Sequence, residues 1–406
     1  MPQPNLSDEL SALDAYATKA MAEQARNTPG TINLAFGEPA FGPPATSKAA
    51  IEANDLNWDA FIASSKRYEK SRGMPELRES VASYYARRHG MKVDPEREVL
   101  ITHGGVEAIT LAVLATTNQT SAVAVTDPSY MLYSRAIKAL GRTLKVIPRP
   151  ADQAHEYVSA LPNAAETLRQ VSSFIVNSPE NPSGYVLSGE DLDAIAEASA
   201  KHDCWIIHDE VYDSMAFGRK HTPARLWSGL EDRTLMINSF SKKYGVPGLR
   251  TGWLCGPANA IDLAAKLHDF IYLGVNIMSE RIGMRMLSDT SADPWMDDMS
   301  DMLGGRAQQL MEALPNTKGF SWPRKPMGAM FAFPNVADFA RKIPDRFAES
   351  GQGSGHKVAN YFMEEHRLAT IPGGVYGPES QDHLRMILCS EQSTFDRALG
   401  VFARLP

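Results

Sequence analysis

The chain is short of cysteine, of basic charge and of long apolar runs, and each shortage removes a class of function. Its three cysteines, Cys204, Cys255 and Cys389, are scattered and odd in number, which fits neither a disulfide framework nor a zinc site. A cytoplasmic chain without a structural metal is expected. Against 48 acidic residues stand 41 lysines and arginines, a formal net charge of -7, so no broad positive field exists to hold a nucleic-acid backbone. The short basic run Arg87-Arg88-His89 reads as a solvated helix face. No stretch approaches the roughly 20 apolar residues that span a bilayer. The N-terminal "MPQPNLSDELSALDAYATKA" lacks the basic start and apolar centre of a secretion signal. Neither nucleic acid nor membrane is therefore expected as a partner. The G-x-G-x-x-G turn of a nicotinamide-binding fold is also missing.

What is present is an ordinary folded composition, 43% hydrophobic and 22% charged over 406 residues, a length that suggests two domains or a large one with a smaller companion. Between about residues 75 and 290, short β-rich runs alternate with longer amphipathic segments, the pattern of parallel strands joined by helices. The best strands are 98–102, 121–127, 173–179, 204–210 and 234–240. Ser188 with Asp191 reads as a capping box opening a helix. After about residue 290 the chain turns richer in proline and glycine, with short strands such as "GAMFAFP", as in a smaller α+β domain. The expected fold is α/β, a mostly parallel sheet in a large domain of residues 45–290, with residues 1–44 and 291–406 forming the small domain and an N-terminal arm. Leu10, Leu13, Ala17 and Met21 have helical spacing and read as a helix packed on that small domain.

The ends of the strands carry the chemistry. Each runs from apolar residues straight into small or polar ones: Gly104-Gly105, Asp127-Pro128-Ser129-Tyr130, Asn177 to Asn181, His208-Asp209-Glu210 and Ser239-Phe240-Ser241-Lys242. Ligands of open α/β sheets bind outside the carboxyl ends of the strands, so one site is expected to collect all five loops. Ser239, Ser241 and Arg250 supply hydroxyl donors and a guanidinium fork suited to phosphate oxygens. Gly105 and Val106 open a helix whose first N–H groups suit the same anion. An anion grip beside a strand-end lysine and the strand-end Asp209 points to a cofactor with a phosphate, an aldehyde and a ring nitrogen that stays protonated, features that pyridoxal 5'-phosphate combines. Lys242 and Lys243 stand side by side, and both are candidates at this level.

The quoted motifs, in their order, resemble those of fold-type I pyridoxal-phosphate enzymes of the class I/II aminotransferase family, from "INLAFGEPAFGPP" to the arginine in "HLRMILC". In "SFSKKYGVPGLRTGW", Lys242 lies three residues after Ser239 and eight before Arg250, as the family's lysine does. The resemblance implies that Lys242 forms the Schiff base and that Lys243 is a solvated or phosphate-neighbouring residue. "HDEVY" is similar to the family's D-x-x-Y, implying that Asp209 pairs with the pyridine nitrogen and Tyr212 donates to the phenolate oxygen. "NSPENPSG" implies that Asn181 also meets that oxygen and helps hold the substrate carboxylate. Tyr130 falls where the family stacks an aromatic ring on the cofactor. Val106 lacks the hydroxyl common at its place, so a backbone bond alone is expected there. "YEKSRGMPELR" resembles the segment that crosses the dimer interface, so Tyr68 is expected at the phosphate of a partner's site, and a homodimer is implied.

For the substrate, Gly37 matches the loop beside the carboxylate and Arg385 the family's carboxylate arginine. The implied reaction moves the amino group of an L-amino acid to a keto acid. Lys242, freed when substrate binds, is the base at Cα. Because the pocket decides which bond breaks, a lyase, cyclase or oxidase on the same scaffold is the alternative, and "PGLR" is reminiscent of the aminocyclopropane-carboxylate synthase branch. A non-catalytic relative of the fold is the third reading, opposed by the joint presence of Lys242, Asp209, Tyr212 and Arg385. The stretch "FIYLGVNIM" contains no arginine, which disfavours a dicarboxylate substrate. Arg281, just beyond it, reads as a helix-face residue.

Overall fold

The computed structural model describes residues 11, 27–66, 68, 70–149 and 168–406. The helix expected around Leu10, Leu13, Ala17 and Met21 lies outside the described residues. After the two-residue strand β1 (Ile32–Asn33) come seven strands, β2 (Val99–Thr102), β3 (Ala122–Asp127), β4 (Thr143–Pro148), β5 (Ser173–Asn177), β6 (Trp205–Asp209), β7 (Thr234–Ser239) and β8 (Gly252–Cys255). They form one sheet in the order β2-β8-β7-β6-β5-β3-β4. All neighbours are parallel except β8, which runs against both β2 and β7. Further on, β9 (Phe331–Ala332), β11 (Ile371–Pro372) and β12 (Leu384–Ile387) make a small antiparallel sheet. Between them in sequence, β10 (Leu368–Ala369) pairs in parallel with β1.

The large sheet is apolar on both faces because helices cover both. On one face Val123, Ile175, Ile207 and Leu254 pack against the helices Gly105–Thr116 and Ala258–Tyr272 through Leu111, Val113 and Ile261. Their strand neighbours point the other way, as the period of two requires. Ala124, Phe174 and Ile206 meet Leu192 and Ile195 of the helix Gly189–His202. Ile101, Met236 and Trp253 meet Leu77, Val81 and Tyr84 of the helix Pro75–His89. A separate cluster joins Ile32 and Leu34 to Leu303, Leu310, Phe339, Phe362, Met386 and Phe402, so the chain's early segment is packed on its late one.

All five strands read from the sequence are present, each trimmed by one or two residues at an end. Two others of the large sheet were not foreseen. β4 sits at the sheet edge with mostly part-exposed residues, and β8 is hidden inside the lysine motif. "GAMFAFP" contributes only the two residues of β9. The basic run at residues 87–89 is only partly a solvated face: Arg87 is exposed and Arg88 half-buried, and both are ion-paired. Arg87 bonds Asp293 through Nε (2.5 Å) and Nη2 (3.2 Å), and Arg88 bonds Asp297 at 2.6 Å. These pairs tie the end of the helix Pro75–His89 to the helix Ala292–Ala313. His89 turns inward, its Nε2 3.4 Å from the buried Asp213.

The capping box forms as read. Ser188 Oγ accepts the Asp191 N–H at 3.1 Å, and the Asp191 carboxylate accepts the Ser188 N–H at 2.8 Å. Ser188→Ala therefore lowers stability by about 1 kcal/mol, measured as a lower urea midpoint with an unchanged denaturant slope.

Candidate active site

Strand register brings the loops together. Asn177 of β5 stands level with Asp209 of β6, and Asp209 with Ile237 of β7, so the last residues of β5 and β6 meet at one edge and β7 runs two residues further, to Ser239. β8 then returns antiparallel, with Gly252 opposite Ser239 on one side and Thr102 on the other. This junction is crowded: a Cβ on Gly252 would lie 2.6 Å from Asn238 O and 3.0 Å from Gly104 Cα. Glycine is what lets Arg250, Ser239 and the Gly104–Gly105 turn meet.

The edge opens into a cavity of about 400 Å³. Gly37, Gly105, Val106, Tyr130, Asn181, Asp209, Tyr212, Ser239, Ser241, Lys242, Arg250 and Arg385 all line it. Tyr68 does not line it; its side chain is 87% exposed. Tyr133 and Phe331 also line the cavity and were not singled out from the sequence, and so does Asn177, named there only as the start of a strand-end segment.

At one end the donors converge. Ser239 Oγ donates to Thr251 O at 3.2 Å and accepts the Ser241 N–H at 3.1 Å, with Ser241 Oγ 3.0 Å away. Arg250 holds a left-handed backbone at φ 53°, and its guanidinium donates to Pro247 O at 2.8 Å. Gly104 has φ 80°, and a Cβ there would stand 2.9 Å from Arg250 Nη2, so glycine permits the approach. The helix Gly105–Thr116 has no side-chain cap at Gly104. Its first N–H groups and the positive end of its dipole add to the anion cradle. Glu107 braces the turn, accepting the His103 N–H at 2.5 Å and lying 2.6 Å from His268 Nδ1.

Asp209 lies deeper, its carboxylate accepting from Tyr133 Oη at 2.6 Å and from the Val211 N–H at 3.3 Å. Burial pushes its pKa up to about 6, and these hydrogen bonds draw it part of the way back. A cation in the cavity would favour its charged form. Asn177 fixes the loop behind, donating to Asp209 O at 2.8 Å and accepting the Asn181 N–H at 2.7 Å. Tyr212 is buried, its ring edge-on to Phe331 at 5.5 Å between centroids.

Lys242 is carried by the single turn Phe240–Lys243 and donates from Nζ to Gly37 O at 2.5 Å. Burial lowers its pKa, and the positive charge of Arg385 acts in the same direction. Lys243 contradicts its sequence reading. It is neither solvated nor beside the anion cradle but only 1% exposed, ion-paired with Asp213. Arg385, on β12, donates to Asn181 Oδ1 at 3.2 Å and to Ala35 O at 2.6 Å. Its guanidinium carbon is 4.6 Å from the Phe331 ring centroid and 5.1 Å from that of Tyr376. The buried Nε has no hydrogen-bond partner. A guanidinium packed against two aromatic rings with a donor left over suits a carboxylate guest. Arg281 lies in the helix Ile277–Ser288 and bonds Ser64 Oγ at 2.9 Å.

A mostly parallel sheet with a buried lysine, a carboxylate and an anion cradle at its strand ends defines an α/β enzyme of the fold-type I group. The sequence matches the family described as Aminotransferase class I and II over residues 29–402, and the chain belongs to that family. It is 26% identical over 400 residues to the putative aminotransferase YugH of Bacillus subtilis, covering 98% of this chain and 97% of the relative. To the arginine–pyruvate transaminase AruH of Pseudomonas aeruginosa it is 29% identical over 374 residues, 91% and 88% of the two chains. The solved N-succinyldiaminopimelate aminotransferase of Mycobacterium tuberculosis matches with a TM-score of 0.85 and 25% identity, covering 99% of this chain and 100% of that one. The protein is an aminotransferase, as its motifs implied.

The raised pKa of Asp209 sets a sign for stability. Its folded value, about 6, exceeds the ordinary 3.8, so the native state binds more protons than the unfolded chain between those values. From this group alone, stability is greatest below about pH 4 and falls as pH rises towards 6, with a cost on the order of 3 kcal/mol at neutral pH. In ligand-free protein, Asp209→Asn is expected to be more stable than wild type at about pH 7.5 and equal to it near pH 4. Urea titrations at the two pH values check this; equal midpoints at the higher pH would contradict it.

Proposed function

We propose that the cavity holds pyridoxal 5'-phosphate and transfers the amino group of an L-amino acid with an apolar or aromatic side chain to a keto acid. The observation that carries this reading is the convergence of Lys242, Asp209 and the Ser239, Ser241 and Arg250 donors on one cavity. When bound, the cofactor supplies an aldehyde that condenses with amines and a protonated ring that withdraws electrons from Cα. Ser239, Ser241, Arg250 and the N–H groups of Gly105 and Val106 hold its phosphate. Asp209 keeps the ring nitrogen protonated, Tyr212 and Asn181 donate to the phenolate oxygen, and Tyr130 stacks on the ring.

Arg385 binds the substrate carboxylate, with Asn181 and the Gly37 loop alongside. With the cofactor bound, Lys242 Nζ would be the base that takes the proton from the substrate Cα and the acid that gives it back. Burial that lowers the lysine's pKa favours the free amine that this step needs. Phe36, Met131 and Phe331 line the cavity, which supports an apolar or aromatic side chain. Relatives carry names that span aspartate, aromatic and arginine substrates, so family membership alone leaves the side chain open.

A homodimer is part of the reading, with Tyr68 of the partner subunit completing the phosphate site. It is supported by the exposed apolar side chains Trp58, Tyr68, Phe270, Tyr272 and Leu273. The division into a large unit of residues 45–290 and a small unit of residues 1–44 and 291–406 is likewise proposed, supported by the apolar cluster that joins Ile32 and Leu34 to residues 303–405 and draws only Tyr212 and Met215 of its buried members from the large unit. A cytoplasmic location is supported by three free, buried cysteines.

The test is mass-spectrometric product analysis of cofactor-loaded protein mixed with single amino acids and no acceptor. Phenylalanine, methionine or leucine is expected to give one equivalent of its keto acid per site, with a rate at least about tenfold above aspartate. Product that accumulates over many turnovers with ammonia or hydrogen peroxide would contradict transfer. A preference for aspartate would contradict the side-chain assignment alone.

A further inference from the structure

Lys243 has no part in the reaction above, yet it is one of the most deeply buried charges in the protein. Successive residues of a helix point about 100° apart, so while Lys242 enters the cavity its neighbour enters the core behind the sheet. There the ammonium pairs with Asp213 Oδ1, donates to Tyr84 Oη at 2.6 Å and lies 4.3 Å from the centroid of the Tyr84 ring. Tyr84 Oη donates in turn to Asp213 Oδ2 at 2.8 Å, closing a ring of three groups. Burial alone would raise the Asp213 pKa, but the charges of Lys243 and His89 hold it well below the ordinary carboxylate value.

These contacts join the two turns that carry the chemistry. Lys243 is the next residue after Lys242. Asp213 is the next residue after Tyr212, in a tight turn closed by Asp213 N–H to Glu210 O at 2.9 Å and Met215 N–H to Tyr212 O at 2.8 Å. The same turn is pinned through Glu210, which accepts from Tyr85 Oη at 2.5 Å and lies 3.2 Å from His221 Nε2. Tyr85 Oη accepts from Trp253 Nε1 at 3.1 Å. His208, Glu210 and His221 bring ligand-type atoms within 4.8 Å of one another. His208 Nδ1 already accepts the Ala224 N–H at 3.2 Å and lies 3.8 Å from Glu210, so of the two histidines His221 is the one hydrogen-bonded to that carboxylate.

We propose that Lys243, with Asp213 and Tyr84, is a positioning group that sets, from behind the sheet, the spacing between Lys242 and the Asp209–Tyr212 turn. The inference rests on the reading in which Lys242 and Asp209 serve opposite ends of one cofactor. A buried ion pair adds little net stability, because desolvation offsets the attraction, and apolar residues of similar volume fold as well. Directional bonds inside a dry core hold a geometry that apolar contacts leave adjustable.

The test uses pyridoxal-phosphate-loaded wild type, Lys243→Met/Asp213→Asn and Tyr84→Phe. The double variant cuts the tie without stranding a charge, and Tyr84→Phe opens the ring while keeping the ion pair. The double variant is expected to melt within about 3 °C of wild type and to keep its KM for the amino donor within about threefold. Its kcat should fall about tenfold or more, and the visible circular dichroism of the bound cofactor should fall by about half or more. Tyr84→Phe should show the same changes at smaller size, about threefold in kcat, and it decides the matter if the double variant does not fold. Folded variants with unchanged kcat and unchanged cofactor dichroism would overturn the proposal, leaving Lys243 a core charge only. A wild type that gains no visible cofactor band would instead overturn the proposed cofactor reading, and the role of Lys243 with it.

Discussion

The site depends on the alignment of strand ends. A one-residue slip between β5, β6 and β7 would turn every side chain to the opposite face. Asn177, Asp209 and Ser239 would then no longer converge. Alternate faces of these strands pack under different helices, Ile207 under one set and Ile206 under the other, so a slip would misplace both cores at once. The packing that stabilises the sheet therefore also specifies where the site lies. β8 adds the last constraint. By returning antiparallel between β7 and β2, with Gly252 wedged between Asn238 and Gly104, it brings Arg250 to the anion cradle from a direction no parallel strand supplies.

Electrostatics divides the buried charges into two groups. Those facing the cavity are left with capacity: Arg385 keeps a buried Nε without a partner, and Asp209 is pushed up to about 6 by burial. Those behind the sheet are closed on one another: Lys243 on Asp213 and Tyr84, and Glu210 on Tyr85 and His221. Burying a charge without a partner is costly, so the first group is poised for ligands and the second is satisfied. Two neighbouring lysines in one turn thus have opposite fates because one projects into the cavity at the strand ends and the other into the core against Tyr84 and Asp213.

The strand ends were legible because each passes abruptly from apolar to polar residues, a change that survives without any knowledge of packing. Asp209, Ser239 and Arg250 stood out for that reason. β8 was not legible: its four residues follow Arg250 with only Thr251 between, and have no turn signal of their own to separate them from the motif. The inward turn of Lys243 was equally hidden, since its partners Asp213 and Tyr84 lie 30 and 159 positions away and nothing local distinguishes a paired core lysine from a solvated one. The ion pairs of Arg87 and Arg88 were hidden for the same cause, their acidic partners sitting on a helix about 200 residues later. Tyr133 and Asn177 are single polar residues whose importance appears only when the register sets them against Asp209 and Asn181.

The account stands or falls on which nitrogen holds the cofactor. Protein loaded with pyridoxal 5'-phosphate can be reduced with borohydride, which fixes the linkage, and its peptides then mapped by mass spectrometry. The phosphopyridoxyl group is expected on Lys242 alone, in the peptide that also contains Ser239 and Ser241 or begins directly after them. Label on Lys243, label scattered over surface lysines, or no stoichiometric label would contradict the account.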